Sequence, residues 1–152
     1  MTGIALDTNL LLLFVIGSAI GDAVGKRLKS YTQDDWVVLR SYLEQADRLI
    51  STPNVWTEVS NICTFGVKGD WEHRIRENLI LSIHGAIEII RPSCDVTDDP
   101  EFAHLGLTDC VWLAVLNDED DIVLLTDDVP LYNVALSRGL NVKNFTHLRE
   151  LD

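Results

Sequence analysis

Apolar and polar positions follow two rhythms along the chain, and the rhythm switches at short intervals. Gly3 to Leu6 is a brief apolar run, which predicts a buried strand. Asn9 to Ile16 is apolar on almost every side, the mark of a buried helix, and Gly17, Gly21 and Gly25 are expected to loosen the stretch after it. Thr32-Gln33-Asp34-Asp35 has the form of a capping box. Trp36, Leu39, Leu43 and Ala46 then share one helical face, with Tyr42, Leu49 and Ile50 beside it. Ser51 to Pro53 is extended, because Pro53 disfavours helical geometry at Thr52. Further helices are predicted through Val55, Val59 and Ile62, and from an Asp70 cap through Ile75, Leu79 and Ile83. Ile87 to Ile90 reads as a strand stopped by Pro92, and an acidic loop runs from Ser93 to Pro100. Thr108 is placed to cap an apolar helix carrying Val111, Trp112, Val115 and Leu116. After the acidic turn at 118–121, Ile122 to Leu125 is the clearest strand. Pro130 and Gly139 bracket a helix, and Val142 to Phe145 is the last strand. Strands alternating with helices predict an α/β fold whose parallel sheet is covered on both faces. Periodicity does not give the strand order.

Composition narrows the class. A chain of 152 residues that is 47% hydrophobic fits one domain, 1–152, with a substantial core. The longest apolar run, Leu10 to Ile16, is 7 residues, against about 20 for a membrane span. No basic segment precedes it, so a signal peptide is not expected. Three cysteines without CxxC spacing suit reduced thiols in a cytoplasmic protein better than a disulfide framework or a zinc site. The net charge of −12 argues against broad electrostatic adhesion to nucleic acid. It leaves room for metal-dependent chemistry on phosphates, because a bound cation inverts the local charge. Lys26-Arg27-Leu28-Lys29 is the single basic cluster, read as a solvated helix end or a phosphate contact.

Four acids carry the candidate chemistry: Asp7, Glu58, Asp109 and Asp128. Each stands at the end of an apolar segment, and the four are far apart in sequence. A carboxylate just past a buried strand points into the crevice where open parallel sheets bind ligands. Four such groups cannot all stay ionised in one cleft without a cation. An all-oxygen set suits magnesium or manganese. One or two such ions supply what phosphodiester hydrolysis needs: an activated water, in-line geometry and stabilisation of the departing oxygen. Asp7, ending the central strand, is the best bridging candidate. Asp109 gains from a helix N-terminus, although aspartate in a first helical turn is common without any metal. Crowded carboxylates repel, so Asp7→Asn is expected to stabilise the metal-free fold. The histidines fall in no ligand spacing, and no nucleophile elbow or glycine-rich phosphate loop is present. The four tryptophans could stack bases, but apolar neighbours make core packing the plainer reading.

Leu6-Asp7-Thr8-Asn9, Thr57-Glu58-Val59, Leu107-Thr108-Asp109 and Leu125-Thr126-Asp127-Asp128 together resemble the motifs of PIN-domain nucleases, in the family's order and across nearly the whole chain. The resemblance implies a three-layer α/β/α, Rossmann-like fold with a mainly parallel central sheet. It also implies magnesium- or manganese-dependent cleavage of RNA, and many relatives are VapC-like toxins of toxin–antitoxin pairs. Asp7, Glu58, Asp109 and Asp128 match the four acidic positions. Thr126 and Asn9 match positions that orient the carboxylates or bound water. Asp127, adjacent to Asp128, could contribute or substitute as the fourth acid. The candidate partners are RNA, an antitoxin protein and a second copy of the chain; no membrane is implied. The long interval between Asp7 and Glu58 and the scarcity of basic residues depart from the toxin members.

Two other readings compete with the endoribonuclease. A haloacid-dehalogenase-like phosphatase needs a second aspartate where Asn9 stands, and the acidic pair and lysine of a receiver domain are missing. The other is a non-catalytic PIN-like scaffold that binds a protein or RNA partner.

Overall fold

The computed structural model describes residues 2–151. Among these, five parallel strands form one sheet in the order β3-β2-β1-β4-β5. The strands are β1 (Gly3–Leu6), β2 (Arg48–Ser51), β3 (Ile87–Glu88), β4 (Ile122–Thr126) and β5 (Val142–Asn144). Every residue of β1 and β4 is buried, as expected for central parallel strands covered on both faces. They pair in register from Gly3 with Ile122 to Leu6 with Leu125. The chain moves outward from β1 through β2 to β3, then crosses back to place β4 on the other side of β1. The strand order therefore reverses between β1 and β4, the position where such sheets bind ligands beyond their C-terminal ends.

Helices cover the sheet and make this an α/β/α three-layer domain. Helix α1 (Thr8–Ile20) follows β1 and is apolar nearly all round; it is enclosed by α3 (Gln33–Leu43), α4 (Pro53–Ile62) and α5 (Asp70–Gly85). Together with the short α2 (Val24–Arg27), it lies in a 20-residue stretch, Thr8–Arg27, long and apolar enough by composition to cross a membrane; 56% of that stretch's apolar window is buried inside the domain. Helix α7 (Leu107–Asp118) packs on β4, and α8 (Val129–Ser137) on β4 and β5. Short α6 (Phe102–Leu105) precedes α7, and α9 (Phe145–Arg149) follows β5.

Several sequence expectations need correction. The face of α3 does not continue to Leu49 and Ile50: the helix ends at Leu43, and those two residues lie in β2. Gly17 does not loosen α1. A Cβ there would stand 2.5 Å from the Trp36 indole, so the bare backbone lets α1 and α3 nest. The helix instead ends at Gly21, with φ of 45°. Asp70 and Thr108 lie inside their helices, which are preceded by Gly69 and Gly106. Strand β3 is only two residues long, and Ile83 is exposed. Thr32 does cap α3 through a reciprocal box with Asp35. Trp36, Trp56 and Trp112 are core residues.

Candidate metal centre

Strand ends deliver the acids to the sheet's C-terminal edge, and helix caps hold two of them there. β1 runs directly into Asp7, whose Oδ1 accepts from the Leu10 amide at 2.9 Å and starts α1. Asp128 repeats the device after β4: its Oδ1 accepts from the Leu131 amide at 3.0 Å and starts α8. Thr52 and Asn144 cap α4 and α9 after β2 and β5. Capping alone is therefore enough to explain an oxygen-bearing side chain at each of these positions.

Thr126 connects the two caps. Its hydroxyl donates to Asp7 Oδ2 and accepts from the Asp128 amide at 3.0 Å. The Asp127 amide also donates to Asp7 Oδ2, at 3.2 Å. Asp7 thus accepts three hydrogen bonds while only 5% exposed. Burial, reinforced by the negative charge of Asp127, pushes its carboxyl up to about 7 against the pull of those donors.

Glu58 and Asp109 arrive differently. Glu58 lies in the second turn of α4, on the cleft wall. Thr108 donates to its Oε1 at 3.0 Å, and Thr8 donates to its Oε2. These two threonines clamp the glutamate from α7 and α1. Their role was missed in the sequence; the one signal was that each neighbours a candidate acid, as Asp7-Thr8 and Thr108-Asp109. Gly106, with φ of 87°, makes the turn that brings the N-terminus of α7 to this wall. Asp109 sits half-buried in the first turn of α7 and accepts no hydrogen bond among the described residues. Burial, together with the charges of Asp128 and Glu58, pushes it up to about 7.

All four acids line one cleft of about 510 Å³, with Asn9, Thr8 and Thr108. Asn9 makes no hydrogen bond to the four carboxylates. Asp127 stands apart: its side chain accepts from the Tyr31 hydroxyl and lines a neighbouring cavity. Among the described residues no lysine or arginine lines the acidic cleft. The donor set is wholly oxygen, and Asp109 lacks a donor, so a hard divalent cation suits the cleft chemically. Among the described residues no three His, Cys, Asp or Glu side chains close round a point by themselves.

Compared with known proteins, the chain matches no family model and no curated protein.

Proposed function

We propose that this protein is a magnesium- or manganese-dependent endoribonuclease of the PIN-domain kind. The observation that carries the reading is Asp109, a half-buried carboxylate that, among the described residues, has no hydrogen-bond donor and faces Asp128 and Glu58 in a cleft lined by no cationic side chain. A protein that needed this residue only for folding would give it a donor or a cation. Asp7, Glu58, Asp109 and Asp128 would hold the ion or ions. A divalent ion so held supplies an activated water and offsets charge on the departing oxygen. The protein's own part is alignment: Thr126 fixes Asp7, Thr8 and Thr108 fix Glu58, and Asn9 offers its amide to a phosphate oxygen. A cytoplasmic setting accords with three free thiols. A basic antitoxin would complement the −12 charge.

The test is cleavage of RNA by the purified chain with magnesium or manganese, repeated after chelation. Activity that requires the metal and disappears with Asp109→Asn supports the reading. A protein that binds manganese yet cleaves no RNA overturns it in favour of a binding scaffold. The exposed Phe65, Leu81 and Ile90 favour that second reading, since a partner surface needs apolar anchors.

A further inference from the structure

Beside the acidic cleft lies a second cavity of about 290 Å³, and the two share Asn9 and Asp128. Its floor is apolar, made by Leu12 and Leu28. Its wall is Tyr31, whose hydroxyl donates to Asp127 and whose ring lies under the Arg149 guanidinium. Arg149 is itself held by two hydrogen bonds to Asp35, so the wall is braced. Leu28 and Tyr31 are buried, while Lys29 and Ser30 between them stand exposed on the rim. Lys29 is the one cation lining either cavity and makes no ion pair among the described residues.

We propose that this second cavity is a nucleotide subsite that receives the base next to the scissile phosphate, with Lys29 taking that nucleotide's own phosphate. The inference rests on the nuclease reading of the acidic cleft and names how its substrate is held. The size argues for one nucleotide, since the cavity is at the lower end of ligand pockets, roughly 300–1,000 Å³. A base can reach such a pocket only when unpaired, so the substrate is single-stranded. The chemistry inside is acceptor-rich. Tyr31 occupies one side of the Asp127 carboxylate, and its remaining lone pairs call for a donor. An exocyclic amine supplies one, as carboxylates accept from cytosine in base recognition, whereas uracil presents carbonyls there. A phosphate would be repelled by Asp127 and Asp128 within the cavity but not by Lys29 on the rim.

Equilibrium binding of fluorescent, hydrolysis-resistant phosphorothioate octanucleotides in magnesium tests this. Octacytidylate or octaadenylate should bind at least about fivefold more tightly than octauridylate, the lower end of what one good base contact discriminates. Lys29→Gln should reduce the slope of log affinity against log salt by about 0.7, one single-strand phosphate contact. Ser30→Trp should block the rim and erase the base preference. Lys26→Gln, on a neighbouring exposed lysine outside the cavity, should change neither. The subsite is wrong if the wild-type chain binds none of the octanucleotides, or if Lys29→Gln and Lys26→Gln behave alike. Binding that depends on Lys29, by a protein that hydrolyses no RNA in any divalent metal, would keep the subsite and remove the nuclease reading.

Discussion

Asp7 and Asp109 line the same cleft and are both pushed up to about 7, yet their surroundings are opposite. Asp7 is nearly sealed and accepts from Leu10, Thr126 and Asp127. Asp109 is half-buried and accepts no hydrogen bond among the described residues, and the charges that raise it, those of Asp128 and Glu58, belong to other cleft carboxylates. A similar shift therefore has two meanings. At the end of β1 it is the cost of using a charge to cap a core helix. At the start of α7 it falls on a group that, on the nuclease reading proposed above, a cation would balance.

The widest separation should appear in catalysis. Asp109→Asn is expected to lower metal-dependent RNA cleavage by at least about 100-fold, the upper range for loss of even an outer-shell partner at a metal site. Its circular dichroism should stay native. Retained activity in a folded Asp109→Asn protein would break the comparison, leaving Asp109 no more than an ill-placed acid.

Metal is the next lever. Manganese at 100 times its dissociation constant should add about 2.7 kcal/mol, a rise in Tm of roughly 5–10 °C for a domain of this size. The shift should shrink sharply in Asp109→Asn, and thermal melts with and without chelator measure it. An unchanged Tm in wild type would mean that the acids do not act together on a cation.

A smaller effect distinguishes the two aspartates in the metal-free protein. Asparagine at position 7 would turn an amide nitrogen toward a backbone N–H that now has an acceptor. Asp7→Asn should therefore cost about 1 kcal/mol, the low end for a buried group left unpaired. This reverses the expectation drawn from charge crowding alone. Asp109→Asn loses no hydrogen bond and should raise Tm slightly. Urea titrations of both variants in chelator decide the order.

The gentlest probe is pH. Both groups have folded values near 7 against 3.8 in the unfolded chain. Between those limits the native state holds more protons than the unfolded state, so stability falls as pH rises through the window and levels off above about 7. The urea midpoint in chelator should thus be higher at pH 5 than at pH 8. Saturating manganese should flatten or reverse that trend, because it favours the ionised carboxylates.

The same contrast explains what could be read from the chain. β1 and β4 were legible because both faces are buried, which leaves continuous apolar runs. The Thr32 cap was legible because its partner Asp35 is three residues away. Strand β2 was hidden because Leu49 and Ile50 continue the helical spacing of α3, whereas β3 was read two residues too long, as Ile87 to Ile90, because the apolar run continues past the paired residues. Strand order depends on crossovers, which leave no local pattern. Position along the chain suggested the four acids, and the family resemblance suggested Thr126, which donates to Asp7, but neither pointed to Thr8 or Thr108. The clamp on Glu58 comes from Thr8 and Thr108, and the turn of Asp127 toward Tyr31 spans most of the domain's length.

The cap at Asp7 has a consequence for descent. A lineage that stopped using this cleft would still be held to an oxygen-bearing residue at position 7, because α1 cannot start well without one. Asp109 would be favoured by the N-terminus of α7, but among the described residues it accepts no hydrogen bond. Among descendants of this chain, position 109 is where abandonment of the cleft would first be written, while position 7 would go on looking intact.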